Sequence, residues 1–120
     1  MSKIMIVDDV SYMRLLLKTM LEANGYEVVA EAASGDEAIE KYAIYRPDLV
    51  TMDITMPGMH GIDATKVIIR KDPSAKIIMC SAIAQKEFVL KAIRAGAKGF
   101  IAKPFQTHKI LDTIESVLAK

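Results

Sequence analysis

One cysteine, Cys80, stands in the whole chain, so neither an intrachain disulfide nor a multi-cysteine metal site is possible. Its neighbours Ile77, Ile78 and Met79 mark it as a buried thiol that packs and does no chemistry. No apolar run reaches the roughly 18 residues that a membrane span needs. Met1-Ser2-Lys3 leads straight into a strand-like segment without a signal-peptide pattern, so the protein is expected to stay in the cytoplasm and to have no membrane partner. A large charge excess is missing as well: the formal net charge is +1, which speaks against a nucleic-acid partner. There is no linker, no low-complexity stretch and no long-period repeat. With 120 residues, 52% of them hydrophobic, the chain suffices for one continuous core, and a single domain spanning 1–120 is expected.

The charge that is present is unevenly spread. From Lys86 to Lys120 there are seven Lys/Arg against three Asp/Glu, a net +4, whereas Met1 to Gln85 carries nine against twelve, a net −3. A solvated face accounts for the basic end, and so does a docking surface for an acidic partner segment; composition leaves both open.

Apolar runs of strand length recur at Ile4-Met5-Ile6-Val7, Val28-Val29-Ala30, Leu49-Val50-Thr51-Met52, Ile77-Ile78-Met79-Cys80 and Phe100-Ile101-Ala102. Several are continuous instead of alternating, as in strands buried on both faces of a parallel sheet. Helix-period segments lie between them. Met13, Leu16, Leu17, Met20 and Leu21 fall at i, i+3, i+4, i+7 and i+8 after a candidate N-cap at Ser11. Ser34 and Glu37 form a capping-box pattern before Ala38, Ile39 and Tyr42, and Ile110, Ile114, Val117 and Leu118 stripe the last segment. Gly25 and Gly96 sit where helices should stop. Strand then helix, five times over with short connections, is a three-layer α/β domain with a doubly wound parallel sheet. Periodicity does not give the strand order.

Polar residues interrupt this pattern at one recurrent place, the end of a strand: Asp8 and Asp9, Asp53, Ser81 and Lys103. The crevice outside the carboxyl ends of the strands is the usual ligand site of an open parallel sheet, so these groups should converge there. Asp8-Asp9 alone is a common loop pair. Three carboxylates in one crevice, however, repel each other by about 4 kcal/mol for a pair at about 4 Å and an effective dielectric of about 20, and they need a cation. Oxygen-only ligands suit a hard, partly hydrated ion that can also hold phosphate, which favours one Mg²⁺ over Zn²⁺. A carboxylate can then act as a nucleophile toward phosphorus if the charge is neutralised, here by the metal and Lys103. Ser81 offers a hydroxyl to a phosphoryl oxygen; capping a helix that begins near Ala84 is an equal reading of its position. His60 and His108 lack a second His at ligand spacing and read as surface residues.

Ile-Val-Asp-Asp at 6–9, Asp-Ile-Thr-Met-Pro-Gly-Met-His-Gly at 53–61, Ser-Ala at 81–82 and Lys-Pro-Phe at 103–105 resemble the receiver domains of response regulators. The resemblance covers the whole chain, with four motifs in the right order, and a chain ending just after the fifth helix is most similar to the stand-alone chemotaxis regulators. It implies the flavodoxin-like (βα)5 fold with strand order 2-1-3-4-5. It further implies that Asp53 accepts a phosphoryl group from a histidine kinase of the chemotaxis type, with Mg²⁺ held by Asp8, Asp9, Asp53 and the backbone carbonyl of Thr55, Asp9 being the more direct ligand. Ser81 would contact the phosphoryl group, Lys103 would pair with it, Phe100 would be the switch aromatic, and the Lys103-Pro104 bond would be cis. Thr55 and Ile83 stand where relatives that lose phosphate fast often carry amide or acidic groups, which implies slow unaided hydrolysis. The implied effector, a flagellar switch protein in chemotaxis, would dock on the fourth-helix, fifth-strand, fifth-helix face, with Lys86, Lys91, Arg94, Lys98 and Lys109 as its basic residues, and the chain would act as a monomer.

Other functions predict other patterns. A phosphatase working through an aspartyl phosphate usually carries Asp-x-Asp on one strand, whereas the early acids here are adjacent; the chain is read as a switch and not as an enzyme. A dinucleotide binder needs glycines in the first turn, which instead reads Val7-Asp8-Asp9-Val10-Ser11. A phosphorelay intermediate, or the receiver part of a transcriptional regulator, shares the motifs and stays open.

Overall fold

The computed structural model describes residues 1–82 and 86–120. Five strands alternate with five helices: β1 (Lys3–Val7), α1 (Ser11–Ala23), β2 (Glu27–Ala32), α2 (Gly35–Tyr45), β3 (Leu49–Asp53), α3 (Gly61–Lys71), β4 (Ile77–Ser81), α4 (Lys86–Ala95), β5 (Gly99–Ala102) and α5 (Thr107–Leu118). All pairings are parallel, and the strands lie in the order β2-β1-β3-β4-β5. The expected architecture and order are both found.

The continuous apolar runs have a simple cause. Successive strand side chains point to opposite faces, and both faces of this sheet are covered. Met5, Val7, Val50, Met52, Ile77 and Met79 face one way, into a cluster closed by α2, α3 and α4 through Ala38, Tyr42, Ile62, Ile68 and Ala92. Ile4, Ile6, Leu49, Ile78 and Cys80 face the other way, under Leu17 and Leu21 of α1 and Ile110, Ile114 and Val117 of α5. Every residue of β3 and β4 is buried, whereas the edge strands β2 and β5 are mostly half-buried. Cys80 is 3% exposed, as its neighbours suggested, and burial pushes its thiol up to about 12.

Helix ends follow local chemistry in part. The Ser34 hydroxyl accepts the Glu37 amide at 3.2 Å, so the capping pattern does begin α2. Gly25 (φ +88°) and Gly96 (φ +107°) end α1 and α4. Two expectations change. Val10, not Ser11, occupies the N-cap of α1: its carbonyl accepts the amides of Met13 and Arg14, and no side chain caps the turn. Leu16 is exposed together with Leu15, because α1 packs on β1 and β2 through the narrower stripe of Leu17 and Leu21. α2 ends without a glycine: Arg46 itself takes the left-handed conformation at φ +46°, and its amide donates to the Tyr42 carbonyl at 2.9 Å.

One glycine fixes the geometry above β3. The Gly61 amide donates to the Ile54 carbonyl at 2.8 Å, and a Cβ on Gly61 would overlap the Asp53 carbonyl oxygen. The first turn of α3 is thereby clamped onto the backbone that carries Asp53. Gly61→Ala is expected to lower stability by about 2 kcal/mol or more, because backbone must move to admit the methyl group. Urea unfolding measures this, and an unchanged midpoint would show that the clamp does not exist.

Candidate functional site

Each carboxylate reaches the crevice by a different local device. Asp8 leaves the end of β1 and is 1% exposed. Its Oδ1 accepts the Val10 amide at 2.9 Å, while its backbone carbonyl accepts from Arg14 Nη1 at 2.7 Å. Arg14 in turn is held by Glu31 of β2 at 3.2 Å. The acidic turn is thus pinned from α1, a support that sequence spacing does not announce because Arg14 and Glu31 meet only across the fold. Asp9 is exposed at the mouth. Asp53 is the last residue of β3 and is 7% exposed.

Oxygens of Asp8, Asp9 and Asp53 all lie within 4.8 Å of one another. Lys103, just beyond β5, reaches across them: its Nζ donates to Asp8 Oδ2 at 2.8 Å and lies 3.5 Å from Asp53 Oδ2. The lysine is fixed at its backbone as well, since its amide donates to the Ser81 carbonyl at 2.9 Å. The Lys103-Pro104 bond is cis.

The electrostatics follow from crowding. Burial pushes the Asp53 carboxyl from the ordinary 3.8 up to about 6; the Lys103 ammonium opposes that push, and the charges of Asp8 and Asp9 add to it. For Lys103 burial disfavours the charge, but the hydrogen bond to Asp8 and the fields of Asp53 and Asp8 outweigh it and hold its pKa above the ordinary lysine value. With all three acids ionised, three negative charges face one positive charge, and two remain uncompensated. An all-oxygen donor set with that residual charge fits a divalent hard cation.

Ser81 ends β4 at the same edge and is buried at 1% exposure; Thr55 lies in the exposed loop two residues past Asp53. Phe100 is half-buried on β5, packed against the cluster under α4 and lining a groove with Lys103 and Lys109. Ile83 and Ala84 lie outside the described residues. His60 and His108 are exposed, as expected.

The five basic residues are exposed but do not form one face. With Ala92 and Ala95 buried, the helical phase turns Lys91 and Arg94 toward α3, where they line a cleft with Asp63 and Lys66. Lys109 lies in the separate groove beside β5. Proximity in sequence to β5 misplaces Lys91 and Arg94; their helical phase relative to the alanines carries the signal.

A raised Asp53 pKa has a stability consequence. The folded state holds this proton more tightly than the unfolded chain, so stability falls as pH rises from about 4 through 6. In metal-free buffer at pH 7, Asp53→Asn should therefore be more stable than the wild type by about 1–2 kcal/mol after allowance for screening by water at the mouth. The gap should close by about pH 4, where both side chains are neutral. Urea unfolding at the two pH values checks this, and equal stability at pH 7 would contradict the electrostatic reading.

With this geometry in view, comparisons with known proteins agree with one another. Residues 4–115 match the response regulator receiver domain family. The chain is 53% identical over 115 residues to the chemotaxis protein CheY of Thermotoga maritima, covering 96% of each chain. It is 55% identical over 116 residues to CheY of Bacillus subtilis, covering 97% of each. Its fold superposes with a TM-score of 0.96 on a chain of the CheX–CheY–BeF3–Mg²⁺ complex from Borrelia burgdorferi, at 36% identity and covering 99% of this chain and 90% of that one. The chain belongs to the response regulator receiver domains, as a CheY-like member of chemotaxis signalling.

Proposed function

We propose that the domain, spanning 1–120, is a phosphorylation-dependent switch in which Asp53 is the acceptor and a histidine kinase the donor. The observation that carries this reading is the cluster of three carboxylates with, among the described residues, a single lysine reaching them and two negative charges left over. A carboxylate oxygen of Asp53 attacks the phosphorus of the donor phosphohistidine. The bond from phosphorus to the imidazole nitrogen breaks, its electron pair stays on that nitrogen, and the ring takes up a proton. Asp8, Asp9, Asp53 and the Thr55 carbonyl would hold Mg²⁺, which when bound neutralises charge on the phosphoryl oxygens. Lys103 supplies the fixed positive charge beside the acceptor, and Ser81 donates its hydroxyl to a phosphoryl oxygen.

Phosphorylation then shifts a two-state equilibrium in which Phe100 changes its packing on β5 and the face formed by α4, β5 and α5 gains affinity for an effector. Lys86, Lys98 and Lys109 supply the positive charge of that face, and a flagellar switch protein is the partner that fits chemotaxis signalling. The domain works as a cytoplasmic monomer in this reading. It is a switch whose own chemistry is limited to taking up and losing one phosphoryl group.

Incubation with acetyl phosphate and Mg²⁺ should add the mass of one phosphoryl group; omission of Mg²⁺ or the change Asp53→Asn should abolish the adduct. A wild-type chain that takes up nothing under these conditions is not a phosphoryl switch. Because Thr55 brings no amide or carboxylate to orient an attacking water, the adduct should decay slowly once the donor is removed. Mass spectrometry over time follows this, and complete loss within seconds would overturn the point.

A further inference from the structure

Between α3 and α4 runs a groove of about 490 Å³ that the switch chemistry does not use. Ile54, Ile62 and Phe88 give it an apolar floor, and Lys66, Lys91 and Arg94 stand along its rim. The Lys91 ammonium sits 5.5 Å from the centre of the Phe88 ring, which keeps a cation directly over the apolar surface. Among the described residues none of these three cations is in an ion pair. Among the described residues the rim carries one carboxylate, Asp63, in the first turn of α3. Arg70, exposed and four residues beyond Lys66, extends the positive row along the same helix.

The geometry points to a docking site for an acidic amphipathic segment of a partner protein. One or two of its apolar side chains would rest on the floor, and carboxylates a turn to either side would pair with Lys66, Lys91 and Arg94. Charge complementarity selects this occupant. A nucleic acid would meet the same cations but would leave the apolar floor unused and place phosphate beside Asp63.

The groove also shares a backbone with the acidic crevice. Ile54 in its floor directly follows Asp53, and its carbonyl receives the Gly61 amide that clamps α3 in place. Resting on the phosphoacceptor reading of Asp53, the docking site is therefore linked to the phosphoryl state: whatever phosphorylation does to affinity in the groove, an occupied groove does in equal measure to phosphorylation.

The test uses a fluorescent peptide about four helical turns long, built from Glu and Ala with Leu and Phe at i and i+4, titrated into the full chain. Binding should be saturable. The double change Lys91→Glu, Arg94→Glu should weaken it at least about tenfold, while Lys18→Glu, on α1 across the sheet, should leave it within about twofold. Both variants are confirmed as folded by their melting curves. Resonances of Ile54, Ile62 and Phe88 should shift on titration of isotope-labelled protein. Absence of binding, equal binding by the double variant, or a shift confined to the β5 groove would overturn the docking site. So would equally tight binding of a peptide with Ser in place of Leu and Phe, or tighter binding of a single-stranded oligonucleotide, since either would reduce the groove to a patch of charge. Repeating the titration in acetyl phosphate and Mg²⁺ should change the affinity at least about threefold in wild type and not in Asp53→Asn. An unchanged affinity in a chain shown by mass to be phosphorylated would overturn the linkage alone, whereas an unphosphorylated chain would mark the failure of the Asp53 reading.

Discussion

Like charge held at close range is the constraint around which the upper edge of this molecule is organised. Three carboxylates with oxygens inside 4.8 Å are unfavourable company, and among the described residues only one ammonium reaches them. The fold accepts this because the rest of the sheet is so thoroughly apolar: β3, which delivers Asp53, is buried along its whole length between two hydrophobic clusters. Rigidity below permits tension above. The same burial that secures the strand raises the proton affinity of its last residue, so packing and reactivity are set by one feature of the architecture.

Support for the crevice comes from groups that carry none of its chemistry. Arg14 fastens the turn of Asp8 and Asp9 from α1, Gly61 brings α3 against the Asp53 backbone, and the Ser81 carbonyl anchors the Lys103 amide. Such fixing keeps the acids at short range where a flexible loop would let them drift apart into water.

Much of this was legible in the residues. Continuous apolar runs mark strands covered on both sides, and polar residues recurring at strand ends locate the crevice. The Asp-Asp, Asp-Ile-Thr-Met-Pro-Gly and Lys-Pro-Phe motifs supplied the family, and with it the strand order, which periodicity alone does not contain. What escaped was non-local or a matter of phase. Arg14 finds Glu31 only after β2 has docked, and Leu16 reads as core because a stripe at helical spacing does not say how wide a contact the neighbouring strands offer. Gly61 looks like a turn residue until Asp53 is seen pressed against it. Nearness in sequence to β5 does not tell which side of α4 Lys91 and Arg94 take; their phase relative to the buried Ala92 and Ala95 sets them beside α3.

The contact between Lys103 and Asp8 joins residues 95 positions apart. A ribosome releases Asp8 well before Lys103, so until β5 has emerged the acidic turn lacks the ammonium that faces it in the fold. Truncated chains ending before β5 would keep two or three of the acids and lack the lysine. The complete crevice thus exists only on chains that extend past β5.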